Sequence, residues 1–322
     1  MASAPEISVV VASHDRAVRL RWLLNALEEQ TLPDALWEVV VGHDSADAET
    51  EVLLREHPLA RAGRLRQVIL PAGSAPPGAN RNAAARLARG EAIAFTDDDC
   101  RPPADWLEKA LAAARRHPGA IVQGATHPDP DEAVLVRAPL HESQAITPPQ
   151  PWAQACNIVY PRGLIERLGG FDDRMRVGED TELAMRAREL GASYVAAPEV
   201  VTYHAVHTPS FPRRLRAAWR WRDLPALVKR HPAVRRQFPL GAFWKWAHVW
   251  LPLAAVGLIA GRRGRRWALL GVPWIADRLP DYGPTLRGRA RAVSELPLVA
   301  AVDAAEMAAM ARGSLRYRTF FL

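Results

Sequence analysis

Short apolar runs alternate with amphipathic segments over the first part of the chain. The runs are rich in β-branched residues, as strands are, whereas the segments between them carry apolar residues at helical spacing. Polar turns such as SHDR at 13–16 separate strand from helix. The pattern predicts strands at 6–12, 37–42, 65–70 and 92–97, and helices at 17–30, 48–56 and 79–89.

The same alternation continues up to residue 204. Residues 127–150 interrupt it, because they are Pro-rich and irregular. Strands that alternate with helices predict a parallel α/β sheet, which binds ligands at the carboxyl ends of its strands. Further helices are predicted at 103–118 and 179–191, and further strands at 120–126 and 193–204.

Two apolar runs in the last third of the chain, 249–261 and 267–276, are 13 and 10 residues long. A membrane-spanning helix needs about 20 residues. A two-span hairpin would leave the Arg-rich turn at 262–266 on the far side of the membrane, against the positive-inside rule. We therefore expect helices that lie in the bilayer interface, with Trp at headgroup depth and Arg on anionic lipid. A helical subdomain packed on the rest of the chain, or a contact in a homo-oligomer, is the alternative.

Charge divides the chain in nearly the same place. Residues 1–204 hold 21 Lys and Arg against 29 Asp and Glu, a net charge of −8. Residues 205–322 hold 21 against 6, a net charge of +15, and seven of the eleven Trp. We predict a first domain at 1–208 and a basic helical region at 209–322, whose positive surface suits anionic lipid or nucleic acid.

The cysteines and the first residues bear on the compartment. Cys100 and Cys156 are too few for a disulfide framework, which favours a reducing environment. The N-terminus has no basic segment before its short apolar run, so it is expected to be the first strand rather than a signal peptide. With the basic region, these features predict a location at the cytoplasmic face of the cell membrane.

Three consecutive aspartates, Asp97, Asp98 and Asp99, follow the apolar part of the strand at 92–97. Like charges side by side repel, and burying any of them unpaired is costly, so a positive partner is expected there. Asp-x-Asp after an apolar strand is typical of a divalent-cation site, because Mg²⁺ and Mn²⁺ prefer carboxylate oxygens and keep open positions for substrate phosphates. A solvated acidic loop is the alternative.

Four segments, in this order, resemble motifs of the inverting glycosyltransferases of family 2, of the bacterial membrane-associated type. They are VVVASHDR, GANRNAAARLARG, FTDDDC and GGFDDRMRVGEDTELAMRARELG, and the resemblance extends over residues 6–204. It implies the GT-A fold, an α/β fold with a Rossmann-like, mostly parallel sheet flanked by helices. It also implies metal-dependent transfer of a sugar from a nucleotide-diphosphate sugar to an acceptor hydroxyl.

The resemblance assigns roles to residues around the aspartates. It implies that Asp97 contacts the nucleotide ribose with Asp98 in support, and that Asp99 binds Mn²⁺ or Mg²⁺. Asp180 matches the catalytic base of the family, beside Glu179 at a helix N-terminus that favours ionised carboxylates. His204, at the end of the last strand, matches a metal ligand of some members.

The donor side includes the first two turns of the chain. Ser13 belongs to the matching first turn, and Arg81 is expected to pair either with phosphate or with a surface carboxylate. Asp44 matches the second acid of the family's nucleotide-binding turn. The chain departs from the family there, because His43 stands where the first acid is usual, so the identity of the nucleotide is not implied.

The acceptor side is expected to include Trp152 and Asn157, and the acceptor itself to be a glycan or a lipid-linked molecule. A nucleotidyltransferase also uses carboxylates and a metal on an α/β sheet, but it would not require Glu179 and Asp180. A membrane-bound interaction protein with a degenerate transferase fold is permitted by His43. A nucleic-acid binder is least favoured, because the positive charge lies with apolar runs and not with a recognisable nucleic-acid motif.

Overall fold

The computed structural model describes residues 4–73, 75–260 and 265–322. Within this range the chain divides into two compact units. The first unit comprises Met1–Val136 and Ser143–Val206, and the second comprises Arg137–Glu142 and His207–Leu322.

The division after Val206 lies two residues before the predicted end of the first domain at 208. The short segment 137–142, which precedes this point in sequence, nevertheless belongs to the second unit. It does so because Glu142 and His207 exchange backbone hydrogen bonds of 2.8 and 2.9 Å. Charge and composition predict a boundary at one point along the chain, and they do not reveal a pairing between segments that are distant in sequence.

One eight-stranded sheet organises the first unit. Its strands are β1 (Ile7–Ser13), β2 (Trp37–His43), β3 (Leu65–Ile69), β4 (Ala92–Asp97), β5 (Cys100–Arg101), β6 (Ile121–Pro128), β7 (Asn157–Pro161) and β8 (Tyr194–His204). Their order is β3-β2-β1-β4-β7-β6-β8-β5. The pairs among β3, β2, β1 and β4 are parallel, as is β6 with β8, whereas β7 is antiparallel to both its neighbours. The sheet is therefore mixed, and the antiparallel β7 was not predicted.

Helices cover both faces of this sheet. They are α1 (Ala17–Glu28), α2 (Ala48–Glu56), α3 (Pro58–Arg61), α4 (Pro77–Leu87), α5 (Trp106–Arg116), α6 (Arg162–Leu168) and α7 (Glu179–Glu189). Successive strand residues point to opposite faces, so Val9 and Val11 of β1 join the core beneath α1 and α5, while Val10 joins the core on the other face. The segment predicted to be irregular contains a 3₁₀ helix, Pro130–Arg137.

Strand register brings the candidate site together. Asp97 at the end of β4 lies opposite Ala12 near the end of the parallel strand β1. The chain then reverses into β5, which pairs antiparallel with β8 and places Cys100 opposite His204. The carboxyl ends of β1, β4 and β8 therefore meet, as expected for the ligand-binding edge of such a sheet.

The second unit is helical. Its helices are α8 (Phe211–Ala218), α9 (Leu224–Arg230), α10 (Trp246–Ala260), α11 (Val272–Arg278) and α12 (Leu286–Tyr317). The run predicted at 267–276 is divided between a 3₁₀ helix, Arg265–Gly271, and α11. Residue 261, which ends the first predicted run, and residues 262–264 of the predicted Arg-rich turn lie outside the described residues. Among the residues that the structure describes, no helix has both the length and the apolar character needed to cross a bilayer.

The 32-residue helix α12 was not predicted from sequence. Its buried positions include Gly288, Ala292, Asp303, Glu306 and Gly313, and it contains an internal proline. Small and acidic residues at buried positions do not give the apolar stripe by which a helix is recognised. Its N-terminus is capped by the Thr285 hydroxyl, which accepts a hydrogen bond from the Gly288 amide at 3.1 Å.

Candidate active site

The three aspartates occupy the turn between β4 and β5. Asp98 and Asp99 are buried, and Asp97 is partly exposed. Burial and the charge of Asp99 raise the pKa of Asp98 to about 6, although Arg16 lowers it. Ser13, at the end of β1, donates its hydroxyl hydrogen to Asp98 over 2.8 Å. Ser13, which was predicted to lie on the side of the sugar donor, is thus in contact with the carboxylates.

Arg16 is the positive partner of Asp98 and Asp99, and it was not identified from sequence. One guanidinium nitrogen lies 2.6 Å from Asp99 Oδ2 and 3.2 Å from Asp98 Oδ1. Burial alone would lower its pKa, but the nearby aspartates raise it above the ordinary value. The signal was available, since Arg16 follows β1, the parallel neighbour of β4.

Asp97, Asp99 and His204 each offer one ligand atom, and these atoms all lie within 4.8 Å of one another. His204 Nδ1 lies 2.9 Å from the Ala205 carbonyl oxygen, which can only accept, so Nδ1 carries the proton. In the neutral ring, Nε2 is then an acceptor, and it faces Asp99 Oδ1 at 3.4 Å. Two acceptors at this distance need a cation or a proton between them, so the set fits a divalent metal with oxygen and nitrogen ligands.

Arg81 links Asp97 to Glu179, the residue directly before the predicted base Asp180. It is 6% exposed, and its guanidinium donates to Asp97 Oδ1 at 2.7 Å and to Glu179 Oε1 at 2.9 Å. Burial alone would lower its pKa, but Asp97 and Glu179 raise it above the ordinary value. Phosphate and a surface carboxylate were considered as partners of Arg81. The structure shows two carboxylates, Asp97 and Glu179, and both belong to the site.

Glu179 and Asp180 begin α7, after Gly178 in the left-handed region at φ 77°. Asp180 accepts a hydrogen bond from the Thr181 amide at 2.8 Å. Burial and the Glu179 carboxylate nevertheless raise the pKa of Asp180 to about 7, although Arg81 lowers it. Burial and a like charge therefore outweigh the helix N-terminus, which was expected to keep the base deprotonated.

The first turns of α4 tie three motifs together through three consecutive side chains. Asn80 donates to Asp44 at 2.9 Å, Arg81 bonds Asp97 and Glu179 as above, and Asn82 exchanges two 2.8 Å bonds with the Phe171 backbone. Successive helical residues point about 100° apart, so one turn reaches three directions.

The turn at the end of β2, which was predicted to bind the nucleotide, is buried and hydrogen-bonded. Asp44 is 1% exposed and also accepts from the Ala75 amide at 3.0 Å. His43 is fully buried, and its Nε2 lies 3.2 Å from Gln67 Oε1 on β3. His43 therefore contacts the neighbouring strand β3.

Trp152 and Asn157 were both predicted to line the side of the sugar acceptor, and the structure places them in different surroundings. Trp152 is partly exposed, and its carbonyl accepts from the Thr181 hydroxyl at 2.7 Å, so it lies beside the start of α7. Asn157 does not line the site, and the prediction is corrected. It is 1% exposed, its amide donates to the Ala125 and Val200 carbonyls, and its oxygen accepts from Trp106. Asn157 is the first residue of β7, and because this strand was not predicted, the sequence gave no sign of the core network.

Two family models match the chain. Glycosyl transferase family 2 matches residues 8–167, and Glycosyl transferase family group 2 matches residues 92–276, which is more than half of the chain. The second range contains the three aspartates, Glu179, Asp180 and His204.

Curated relatives are similar over most of the chain. It is 24% identical to glycosyltransferase AglE of Haloferax volcanii over 208 residues, which are 62% of this chain and 67% of the relative. It is 25% identical to the pre-mycofactocin glycosyltransferase of Mycobacterium tuberculosis over 241 residues, 70% and 48% of the two chains. It is 26% identical to validoxylamine A glucosyltransferase of Streptomyces hygroscopicus over 238 residues, 63% and 56%. The chain thus spans about half the length of the two bacterial relatives.

Solved structures share the fold. The mannosyltransferase PcManGT of Pyrobaculum calidifontis, in complex with GDP-Man and Mn²⁺, gives a TM-score of 0.59 at 20% identity, over 98% of this chain and 88% of that chain. Residues 1–349 of S. aureus TarS with UDP-GlcNAc give 0.53 at 18% identity, over 98% and 93%. The GT-A fold expected from the sequence is confirmed. With the family match over more than half of its length, the chain belongs to glycosyltransferase family 2 and is a glycosyltransferase.

Proposed function

We propose that the chain transfers a sugar from a nucleotide-diphosphate sugar to an acceptor hydroxyl, with inversion and with help from a divalent metal. The observation that carries the proposal is the link made by Arg81, which joins Asp97 of the metal-ligand set to Glu179, the residue before Asp180. One buried side chain thereby fixes the distance between the donor and acceptor halves of the site.

Asp97, Asp99 and His204 would hold Mn²⁺ or Mg²⁺, as their ligand atoms and the His204 tautomer allow. The bound cation would neutralise negative charge on the diphosphate leaving group. Ser13 and Asp44 lie at the ends of β1 and β2, where the nucleotide would bind, and Asp98 supports this edge through Ser13.

Asp180 is the base in this proposal. The acceptor oxygen forms its bond to the anomeric carbon on the face opposite the diphosphate, the bond to the diphosphate breaks, and the acceptor proton passes to Asp180. A carboxylate with a pKa of about 7 suits this task, because a base is most effective when its pKa lies near the working pH. Glu179 raises that pKa by its charge, while Arg81 limits the effect.

A nucleotide and metal panel tests the proposal. Thermal unfolding is measured with UDP-, GDP- and dTDP-sugars, including GDP-mannose and UDP-GlcNAc because the two fold neighbours bind these, each with Mn²⁺ and with EDTA. We expect one nucleotide class to raise Tm only with Mn²⁺, and Asp99→Asn to remove the rise. A well-folded protein that responds to none of them would favour the degenerate transferase fold.

The second unit supports a proposal for location, which is contact with an anionic membrane surface. Large apolar side chains are exposed on α10 and the segment that follows it, at Val256, Leu258, Ile259, Leu269 and Val272, and Leu258 and Ile259 are each more than 75% exposed. The net charge of +15 beyond residue 204 suits anionic headgroups at the cytoplasmic face, where an acceptor could be lipid-linked.

Vesicle flotation separates membrane contact from self-association. We expect the protein to float with vesicles that contain anionic lipid, and the double variant Leu258→Ser, Ile259→Ser to lose this. Leu315→Ser, at an 82% exposed position on α12, is the matched control. If the double variant floats unchanged but a homo-oligomer seen by light scattering disappears, the apolar surface is a contact between copies instead.

A further inference from the structure

The turn between β1 and α1 bonds two parts of the predicted donor side. Ser13 and Arg16 bond the aspartates that follow β4. Between them, the Asp15 amide donates to the Ser45 hydroxyl at 2.9 Å, and the Asp15 carboxylate accepts from the Ala46 amide at 2.8 Å. The turn is therefore tied both to the aspartates and to the segment that follows β2.

The backbone of this turn is held in an uncommon conformation. Asp15 has φ 49°, in the left-handed region that residues other than glycine seldom adopt. Its bonds to Ser45 and Ala46 hold it there. Such residues persist where the surrounding structure fixes them, and they cluster at functional sites. Arg16 follows as the N-cap residue of α1, so the turn fixes the point from which its side chain extends.

The side chain of Arg16 is less confined than the acids that it bonds. It is 43% exposed, whereas the side chains of Asp98 and Asp99 are 6% and 4% exposed. Both contacts use one nitrogen, Nη1, and within the described part of the chain Nη2 and Nε bond to no carboxylate. A guanidinium has five N–H donors in a planar arrangement that suits the oxygens of a phosphate.

Arg16 and a metal ion would draw on the same carboxylate. Asp99 Oδ2 accepts from Arg16 at 2.6 Å, while Asp99 Oδ1 faces His204 Nε2 at 3.4 Å in the metal-ligand set. A guanidinium on Asp99 reduces the negative charge that attracts a divalent ion. Because a buried carboxylate left without a cation is costly, Arg16 can leave Asp99 only if another cation takes its place. A metal ion would be that cation.

We propose that Arg16 is a donor-binding residue that exchanges partners. It pairs with Asp98 and Asp99 while no donor is bound, and it moves to the diphosphate of the donor when the metal takes over Asp99. This inference rests on the proposed function and adds a residue to it. The exchange couples the two binding events, because the diphosphate draws the guanidinium away from the carboxylate that the metal needs, and the metal releases it.

Two binding measurements on the full chain test the exchange. The electron paramagnetic resonance signal of free Mn²⁺ gives Mn²⁺ affinity without nucleotide, with UDP and with GDP, and matched solutions without protein correct for Mn²⁺ held by the nucleotide itself. Calorimetric titration at saturating Mn²⁺ gives nucleotide affinity, with uridine and guanosine as controls that lack phosphate. We expect UDP or GDP to tighten Mn²⁺ binding by the unmodified chain about tenfold, as is typical of coupled sites.

Three variants separate charge from position. Arg16→Gln should bind Mn²⁺ alone about tenfold more tightly, because a unit charge beside the ligands is gone. The same variant should bind UDP or GDP about tenfold more weakly, because a charge-assisted contact to phosphate is lost. Arg16→Lys keeps the charge and should bind Mn²⁺ alone as weakly as the unmodified chain does. Arg21→Gln, at an exposed position of α1, is the matched control and should change neither affinity.

Thermal unfolding keeps the test decisive if Arg16→Gln folds poorly. Mn²⁺ alone should then raise the Tm of Arg16→Gln more than that of the unmodified chain, because the ion replaces the lost guanidinium. Uridine and guanosine should bind Arg16→Gln and the unmodified chain equally, because neither offers a phosphate to Arg16. An equal or smaller rise in Tm with Mn²⁺ would contradict the exchange.

The remaining outcomes also decide. Equal or weaker Mn²⁺ binding by Arg16→Gln would make Arg16 a support that orients Asp99. Tighter Mn²⁺ binding with unchanged UDP and GDP affinity would mean that the guanidinium stays on the aspartates. Either result overturns the exchange while metal-dependent nucleotide binding stands. An unmodified chain that binds neither Mn²⁺ nor a nucleoside diphosphate would overturn the proposed function together with the exchange.

Discussion

The two units of this chain each bury a carboxylate cluster, but they neutralise it in opposite proportions. In the first unit five acids at the ends of β4 and the start of α7 share two cations, Arg16 and Arg81. In the second unit two acids of α12 share three cations, Lys245, Arg278 and Arg214. The first cluster lacks positive charge, whereas both buried acids of the second already lie against cations.

The pKa values follow the same division. Burial raises the pKa of Asp98 to about 6 and that of Asp180 to about 7, because each also has an acidic neighbour. Burial would also raise the pKa of Glu306, but His248 and Lys245 lower it to about 2. Similar ingredients therefore give one site suited to gaining a cation and a proton, and another whose buried carboxylates are already neutralised by cations.

The largest expected effect comes from the base in the cation-poor cluster. Asp180→Asn should lower kcat by about 10²–10⁴-fold, the usual contribution of a positioned proton acceptor. The donor-dependent rise in Tm should remain, because the variant keeps Asp97, Asp99 and His204. Asp173→Asn, at an exposed position in the same segment, is the control. Normal transfer by Asp180→Asn would show that the base lies elsewhere.

Removing the link between the two halves of the first site should cost stability. Arg81→Met leaves Asp97 and Glu179 without their buried partner, and breaking such a pair typically costs about 3–5 kcal/mol. Arg86→Met, at an exposed position of the same helix, should change the free energy of unfolding little. Both are measured by urea unfolding. Equal stability of the two variants would mean that the Arg81 bridge does not hold the site together.

Acid should destabilise the second cluster. The folded pKa of Glu306 is about 2 and its ordinary value is 4.5, so its stabilisation is present above pH 4.5 and lost as pH falls towards 2. The shift corresponds to about 3 kcal/mol. Glu306→Gln should lack this loss between pH 5 and pH 2, and exposed Glu51→Gln should keep it. If Glu306→Gln lost the same stability between pH 5 and pH 2, the cations would not lower the pKa of Glu306 as stated.

The smallest effect is a pH profile. The pKa of Asp180 is raised, so the protonated, inactive form grows below about pH 7. We expect kcat/KM to fall about tenfold for each pH unit below 7 and to level off above it. The groups that act on Asp180 are Glu179, Asp97 and Arg81. A plateau that continues down to pH 5 would show that Asp180 titrates near its ordinary value.

The sequence predicted the site best where functional residues lie at or directly after the ends of strands. Asp97 and His204 each end a strand, and Asp99 lies in the turn directly after β4. They could be expected to lie close together, because the strand ends of an α/β sheet meet at one edge. Arg16 was missed although it follows β1, since a lone arginine in a polar turn does not reveal its partner.

Residues whose role depends on the interior could not be predicted. Asn157 was assigned to the acceptor side, but the structure satisfies all its hydrogen bonds inside the core. The buried acids of α12, Asp303 and Glu306, broke the apolar pattern of that helix, and only the three-dimensional arrangement of Lys245 and Arg278 explains them.

The central claim is that the cation-poor cluster takes a divalent metal and the cation-rich cluster does not. Electron paramagnetic resonance of Mn²⁺ in the presence of donor, for the unmodified chain, Asp99→Asn and Glu306→Gln, tests it most directly. The account predicts one bound Mn²⁺ per chain, lost in Asp99→Asn and kept in Glu306→Gln. Mn²⁺ binding that survives Asp99→Asn but disappears in Glu306→Gln would contradict it.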